Sequence, residues 1–312
     1  MSLERFYPIG TPGEPWGDAE KRQWLEEQSI QRSYEDEVLD ALSDLDPQFD
    51  VIQYGSLSVD PERYPLLAVQ MASTSPDAPW VLITGGVHGY ETSGVQGALA
   101  FLAQHALDYR DRINLLVAPC VSPWGYETIN RWNPKAVDPN RSFHAESPSE
   151  EAAELMVLIE QSELEFLMHM DLHETTDTDE SEFRPALAAR DGADFVPGTI
   201  PDGFYGVGDT ANPQPDFQAA IIAGVEPVTH IAPADEDGMI IGTESTQFGF
   251  INYHFTDWGL CPAVTNAPFT STTEVYPDSA SATPAMCIDA QVAAVRAGLD
   301  FVLKNLPQIS SM

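Results

Sequence analysis

Residues 81–98 read VLITGGVHGYETSGVQGA, and this stretch decides the fold. With Trp80 before it, its first part is a continuous apolar run, the mark of a strand covered on both faces. Gly85 and Gly86 then let the backbone turn tightly and approach a neighbour closely. His88 and Glu91 follow, three residues apart. Histidine is a metal ligand, and glutamate is a ligand or a general base. In open α/β sheets, sites lie beyond the carboxyl ends of strands, where this pair stands. Taken alone, HGYE is a short motif that arises by accident, and a loop histidine beside a carboxylate accounts for it.

Working outward, strand-like runs appear at FDVIQYGSL, PLLAVQMAS, WVLITGG, INLLVAPCVS and EFLMHMDLHE. Helical spacing fills residues 18–45, 91–107, 149–162 and 285–304. The alternation predicts an α/β fold: a mixed, mostly parallel twisted sheet with helices on both faces. From about 176 to 250 acidic, Gly and Pro residues are dense, which predicts long loops at one end of the sheet. The expected organisation is one domain over 1–312, with an N-terminal arm and helix (1–45) and a loop-rich insertion (about 176–250).

Composition excludes several functions. The 312 residues carry 49 Asp+Glu against 14 Lys+Arg, a formal net charge of -35. Only Lys21, Lys135 and Lys304 are lysines. Such a field repels nucleic acid and anionic membranes. Cys120, Cys261 and Cys287 form no C-x-x-C pair and no disulfide framework, so reduced structural thiols are expected. No secretory signal and no run of about 18 apolar residues is visible, so a cytoplasmic protein is expected. Oligomeric state stays open. No G-x-S-x-G elbow supports a serine hydrolase.

A third candidate ligand, His173, ends a later strand in HMDLHET. Two ligands close together and a distant third is a common layout for catalytic zinc, with the fourth position left to water. His169, Asp171 and His173 alternate and therefore share one face. They point to a second metal or to a hydrogen-bonded network behind the first; a satisfied core histidine is the expected role of His169, as for His144 and His230. The acidic DTDES (177–181) lacks the spacing and glycine of a calcium loop and reads as a solvated loop.

Residues 118–143, APCVSPWGYETINRWNPKAVDPNRSF, make the pattern specific. HGYE, SPWGYE, Arg131, DPNRSF and DLHE occur in the order of the zinc metallocarboxypeptidase family, which the sequence resembles over roughly 80–175. The resemblance extends to its relatives, the succinylglutamate desuccinylase and aspartoacylase group. It implies a carboxypeptidase-like (phosphorylase/hydrolase-like) fold and one Zn2+ per chain, a second metal staying open. His88, Glu91 and His173 would hold the zinc, and Asp138 would orient His88. Arg131 would stabilise the oxyanion, while Asn140 and Arg141 would grip a substrate carboxylate. Glu274 in TSTTEVYP is the expected general base; Asn266 in AVTNAPF in that strand, or Glu174, is the alternative. Tyr253 and Tyr276 both qualify as the tyrosine that caps the substrate, and Tyr90 stands where some members carry a basic contact. The implied substrate is a peptide C-terminus or an N-acyl amino acid, cleaved at the amide beside a free carboxylate. A non-catalytic zinc- or ligand-binding module is the alternative from another class.

Overall fold

The structure, a computed structural model, describes residues 6–309. Among these, ten strands form one sheet: β1 (Asp50–Ser56), β2 (Pro65–Met71), β3 (Trp80–Gly85), β4 (Asn114–Ala118), β5 (Phe166–Glu174), β6 (Tyr205–Asp209), β7 (Met239–Ile240), β8 (Thr243–Gln247), β9 (Phe250–Tyr253) and β10 (Phe269–Val275). The helices are α1 (Asp18–Glu26), α2 (Asp40–Ser43), α3 (Thr92–Gln104), α4 (Pro123–Thr128), α5 (Glu150–Ser162), α6 (Arg184–Asp191), α7 (Pro215–Val225) and α8 (Pro284–Ile309). No described helix is long and apolar enough to cross a membrane.

The strand order is β1-β2-β4-β3-β5-β10-β6-β9-β8-β7. Parallel pairing dominates the centre, β4-β3-β5-β10, and joins β6 to β9. The remaining pairs are antiparallel, so the expected parallel character is confined to less of the sheet than the sequence suggested. The five strand-like runs up to residue 174 are β1 to β5.

Side-chain alternation places helices on both faces. Val81 and Ile83 of β3 join the core that includes Val95 and Leu102 of α3 and Val295 and Leu299 of α8. Leu82 faces the other way, toward Ala152 and Leu155 of α5. On β5, Met168, Met170 and Leu172 enter the first core. That leaves His169, Asp171 and His173 together on the opposite face, all buried.

Two regions differ from expectation. The helical spacing over 18–45 breaks after α1, because residues 28–32 lie across the end of α4 and the segment that follows it. Gln31 N donates to Glu127 O (2.8 Å) and Asn130 Nδ2 to Gln28 Oε1 (2.9 Å). Residues 176–250 are more regular than a loop insertion. They contain α6, β6 and α7, and β6 pairs directly with β10. Phe217, Ile221, Ile222 and Val225 give α7 a buried face that pairs it with α8.

Candidate active site

The HGYE turn is fixed by close packing. Gly86 adopts φ +60°, a left-handed conformation that glycine takes without a Cβ penalty. At Gly89 a Cβ would sit 2.1 Å from Tyr126 N, so the turn lies directly on the backbone of α4. The Arg32 guanidinium fastens the junction, donating to Gly89 O (2.8 Å), Thr92 Oγ1 (2.7 Å) and Tyr126 O (2.6 Å). Glu91 stands at the start of α3, and parallel pairing of β3 with β5 brings His173 alongside.

Donor atoms of His88, Glu91 and His173 lie within 4.8 Å of one another, and all three residues are buried. His88 Nδ1 is 2.7 Å from Glu91 Oε1, and His173 Nδ1 is 2.6 Å from Glu91 Oε2. The second nitrogen of each ring meets an aspartate. His88 Nε2 is 3.0 Å from Asp138 Oδ1, and His173 Nε2 is 2.7 Å from Asp171 Oδ2. Thr84 Oγ1 donates to Asp171 Oδ1 (2.6 Å). Burial works to raise Glu91, but His173 and His88 outweigh it and hold its carboxyl at about 2. Burial works to lower His173, but Asp171 and Glu91 outweigh it and hold the ring well above the usual histidine range. Two imidazoles and one carboxylate, each ring anchored from behind by an aspartate, fit the donor set of a catalytic metal ion with a fourth position left open.

His88 and Glu91 border a cavity of about 480 Å³ that Glu274 also lines. Register places Glu274 opposite His173, because β10 runs parallel to β5. Thr175 Oγ1 donates to Glu274 Oε2 (2.9 Å) and lies 2.8 Å from the Tyr205 hydroxyl. Burial pushes Glu274 up to about 8, against the pull of His173. The alternatives fare differently. Asn266 is exposed, ahead of β10. Glu174 accepts from Ser93 N (2.7 Å) at the start of α3, and burial pushes it up to about 7. Tyr253 lines the cavity, whereas Tyr276 donates to Asp177 away from it (2.8 Å). His169 is buried 3.0 Å from Thr84 Oγ1, and burial pushes it down to about 4. His144 and His230 lie outside the cavity.

The chain has eleven arginines, and Arg131, Arg141, Arg184 and Arg190 all line this cavity. Arg131 donates from Nε to Asp138 Oδ2 (3.0 Å) and from Nη1 to Asp179 Oδ1 (3.2 Å). Arg141 donates to Asn140 O (2.6 Å), and no described carboxylate lies within 4.0 Å of it. Asn140 Oδ1 accepts from Cys261 N (2.8 Å), which leaves Nδ2, 3.4 Å from His173 Nε2, as its end with capacity to spare.

DTDES is not the solvated loop expected. Asp179 is buried, accepting from the Tyr90 hydroxyl (2.7 and 2.9 Å) and from Thr176 N (2.8 Å). The sequence reading gave Asp179 no role in the site, and Arg32 sits in no motif; only the fold brings Asp179 to the cavity and Arg32 to the turn beside it.

Residues 77–190 match the family model of the succinylglutamate desuccinylase/aspartoacylase catalytic domain. Structures of similar fold include a protein proposed to be a metallopeptidase from Shewanella amazonensis. It shares 19% identity, with 88% of this chain and 98% of that chain covered and a TM-score of 0.64. A metallo-carboxypeptidase from Burkholderia cenocepacia shares 16%, covering 92% and 70%, with a TM-score of 0.56. Carboxypeptidase A from Helicoverpa armigera shares 13%, covering 94% and 74%, with a TM-score of 0.54. Comparison with curated proteins finds no match. The fold is the metallocarboxypeptidase-like α/β fold, and the resemblance read from the sequence is borne out. The matched catalytic domain covers residues 77–190, and the structural likeness extends over most of the chain.

Proposed function

We propose that this chain is a zinc-dependent hydrolase of carboxypeptidase type that cleaves an amide bond beside a free carboxylate. One observation carries the reading: His88 and Glu91, two members of the buried donor set that His173 completes, border the same cavity as Glu274 and the unpaired Arg141. His88, Glu91 and His173 would hold the ion, and bound zinc supplies a Lewis acid that acidifies water and polarises a carbonyl.

The remaining work belongs to side chains. Glu274, with an affinity for protons near neutrality, takes a proton from the attacking water and returns it to the leaving nitrogen. Arg131 faces the oxygen on which negative charge develops. Arg141, helped by Asn140 Nδ2, binds the substrate carboxylate, a task suited to a planar guanidinium. Tyr253 closes over the bound substrate. A second reading, an N-acyl amino acid deacylase, is favoured by the match of residues 77–190 to the desuccinylase/aspartoacylase domain.

The test is metal content by mass spectrometry for wild type and His88→Ala, followed by a panel of peptides and N-acyl amino acids. About one zinc per chain, lost in the variant, is expected, with hydrolysis confined to substrates carrying a free carboxylate beside the cleaved bond. About two zincs would bring Glu174 or His169 into the site. No metal after zinc reconstitution would sink the reading. Which half of the panel is cleaved separates peptidase from deacylase.

A further inference from the structure

We propose that Asp179 and Tyr90 are positioning residues for Arg131, locking its guanidinium so that Nη2 alone faces the cavity as an anion donor. The inference rests on the reading of Arg131 as the oxyanion donor and deepens it.

The geometry is that of a clamp. Asp138 holds Arg131 at Nε (3.0 Å). One such contact leaves a guanidinium free to pivot about it. Asp179 takes Nη1 (3.2 Å) and removes the pivot. Among the described residues Nη2 makes no hydrogen bond. Asp179 is itself held firmly, because the Tyr90 hydroxyl spans both its oxygens and Thr176 N donates to Oδ2. Tyr90 packs on Phe183, ring centres 4.7 Å apart, and stacks beside His88 at 6.2 Å. It also lies within the HGYE turn, between the two candidate ligands. A continuous line therefore runs from the metal-ligand turn through Tyr90 and Asp179 to Arg131. A donor fixed in advance stabilises developing charge without reorganising at the moment of reaction, and a supporting shell is what fixes it. Two carboxylates also compensate the desolvation of this partly buried cation.

The experiment is a double-mutant cycle read by calorimetric titration of inorganic phosphate, a tetrahedral anion. Wild type, Arg131→Ala, Asp179→Asn and the double variant are compared, with and without zinc. Arg131→Ala and Asp179→Asn should each weaken phosphate binding about tenfold or more, with zinc content retained. The double variant should bind no more weakly than Arg131→Ala alone. Equal weakening by Asp179→Asn whether or not Arg131 is present would overturn the proposal, as would no weakening at all or a wild type that does not bind phosphate. Tyr90→Phe keeps the ring packing and enters the same cycle should Asp179→Asn not fold. An Arg131→Ala change without effect would sink the role given to Arg131 itself. A chain that takes up no zinc would sink the functional reading while the metal-free cycle still reports on the clamp.

Discussion

Asp171 illustrates how a single residue reaches the chemistry without touching it. Its Oδ2 holds His173 Nε2, while Thr84 fixes its Oδ1. A carboxylate there sets which ring nitrogen would be left to face a bound ion and raises that nitrogen's basicity. Asp171→Asn keeps the shape and removes the charge, so zinc affinity should fall about 10–100-fold in competition with a chelator. Unchanged affinity would remove Asp171 from the site. Residues of this kind mark the boundary of what sequence reveals. His88, Glu91, Asp138 and His173 announce themselves because residue type and spacing coincide in an ordered set. Asp171 shows only that it shares a face with His173, and Asp179 shows nothing, since an acidic residue in an acidic loop carries no local signature.

At the scale of elements, central strands were readable because burial on both faces forces an unbroken apolar run, as in WVLITGG and INLLVA. β6 was not: YGVGD is short and mostly glycine and acid, and it becomes a strand because β10 and β9 flank it. The gap after α1 was hidden for the opposite reason, since residues 28–32 keep helical spacing yet bond instead to residues 126–130. The turn between β3 and α3 is the least forgiving joint. Gly89→Ala would drive a methyl into Tyr126 N, and overpacking of this kind costs about 1–3 kcal/mol. The expected outcome is a lower melting temperature together with loss of bound metal, because His88 and Glu91 move with the turn. A variant that melts and binds zinc like wild type would show that the turn yields.

The whole molecule is a strong polyanion whose cavity gathers four of its fourteen cationic side chains. Its metal-free stability should decline as pH rises from about 5 to 8. Glu174 and Glu274 titrate near 7 and 8 in the folded chain, against 4.5 when unfolded. Between those values the folded state binds more protons than the unfolded state, so stability falls with rising pH and levels off above the folded values. His173, raised above its usual 6.5, acts in the same direction, being most stabilising when protonated. His169, held at about 4, acts oppositely up to its unfolded 6.5 and offsets part of the decline there; Glu91, held at about 2, also acts oppositely, and its contribution is lost only as pH drops below 4.5 toward that value. Thermal melts of metal-free protein across pH 5–9 test the trend, and Glu274→Gln should flatten its alkaline part. Stability rising over that range would contradict these assignments.

The place of β10 between β5 and β6 has a consequence for how the molecule is made. All three candidate ligands precede residue 174, whereas Glu274 is synthesised 101 positions after His173. At about 5–20 residues per second a ribosome needs roughly 5–20 s to cover that interval. Throughout it β5 presents an open edge in the middle of the future sheet, a template for pairing with other chains. A nascent chain therefore owns its candidate ligands before it owns Glu274, and the strand that delivers Glu274 is also the one that seals the exposed edge.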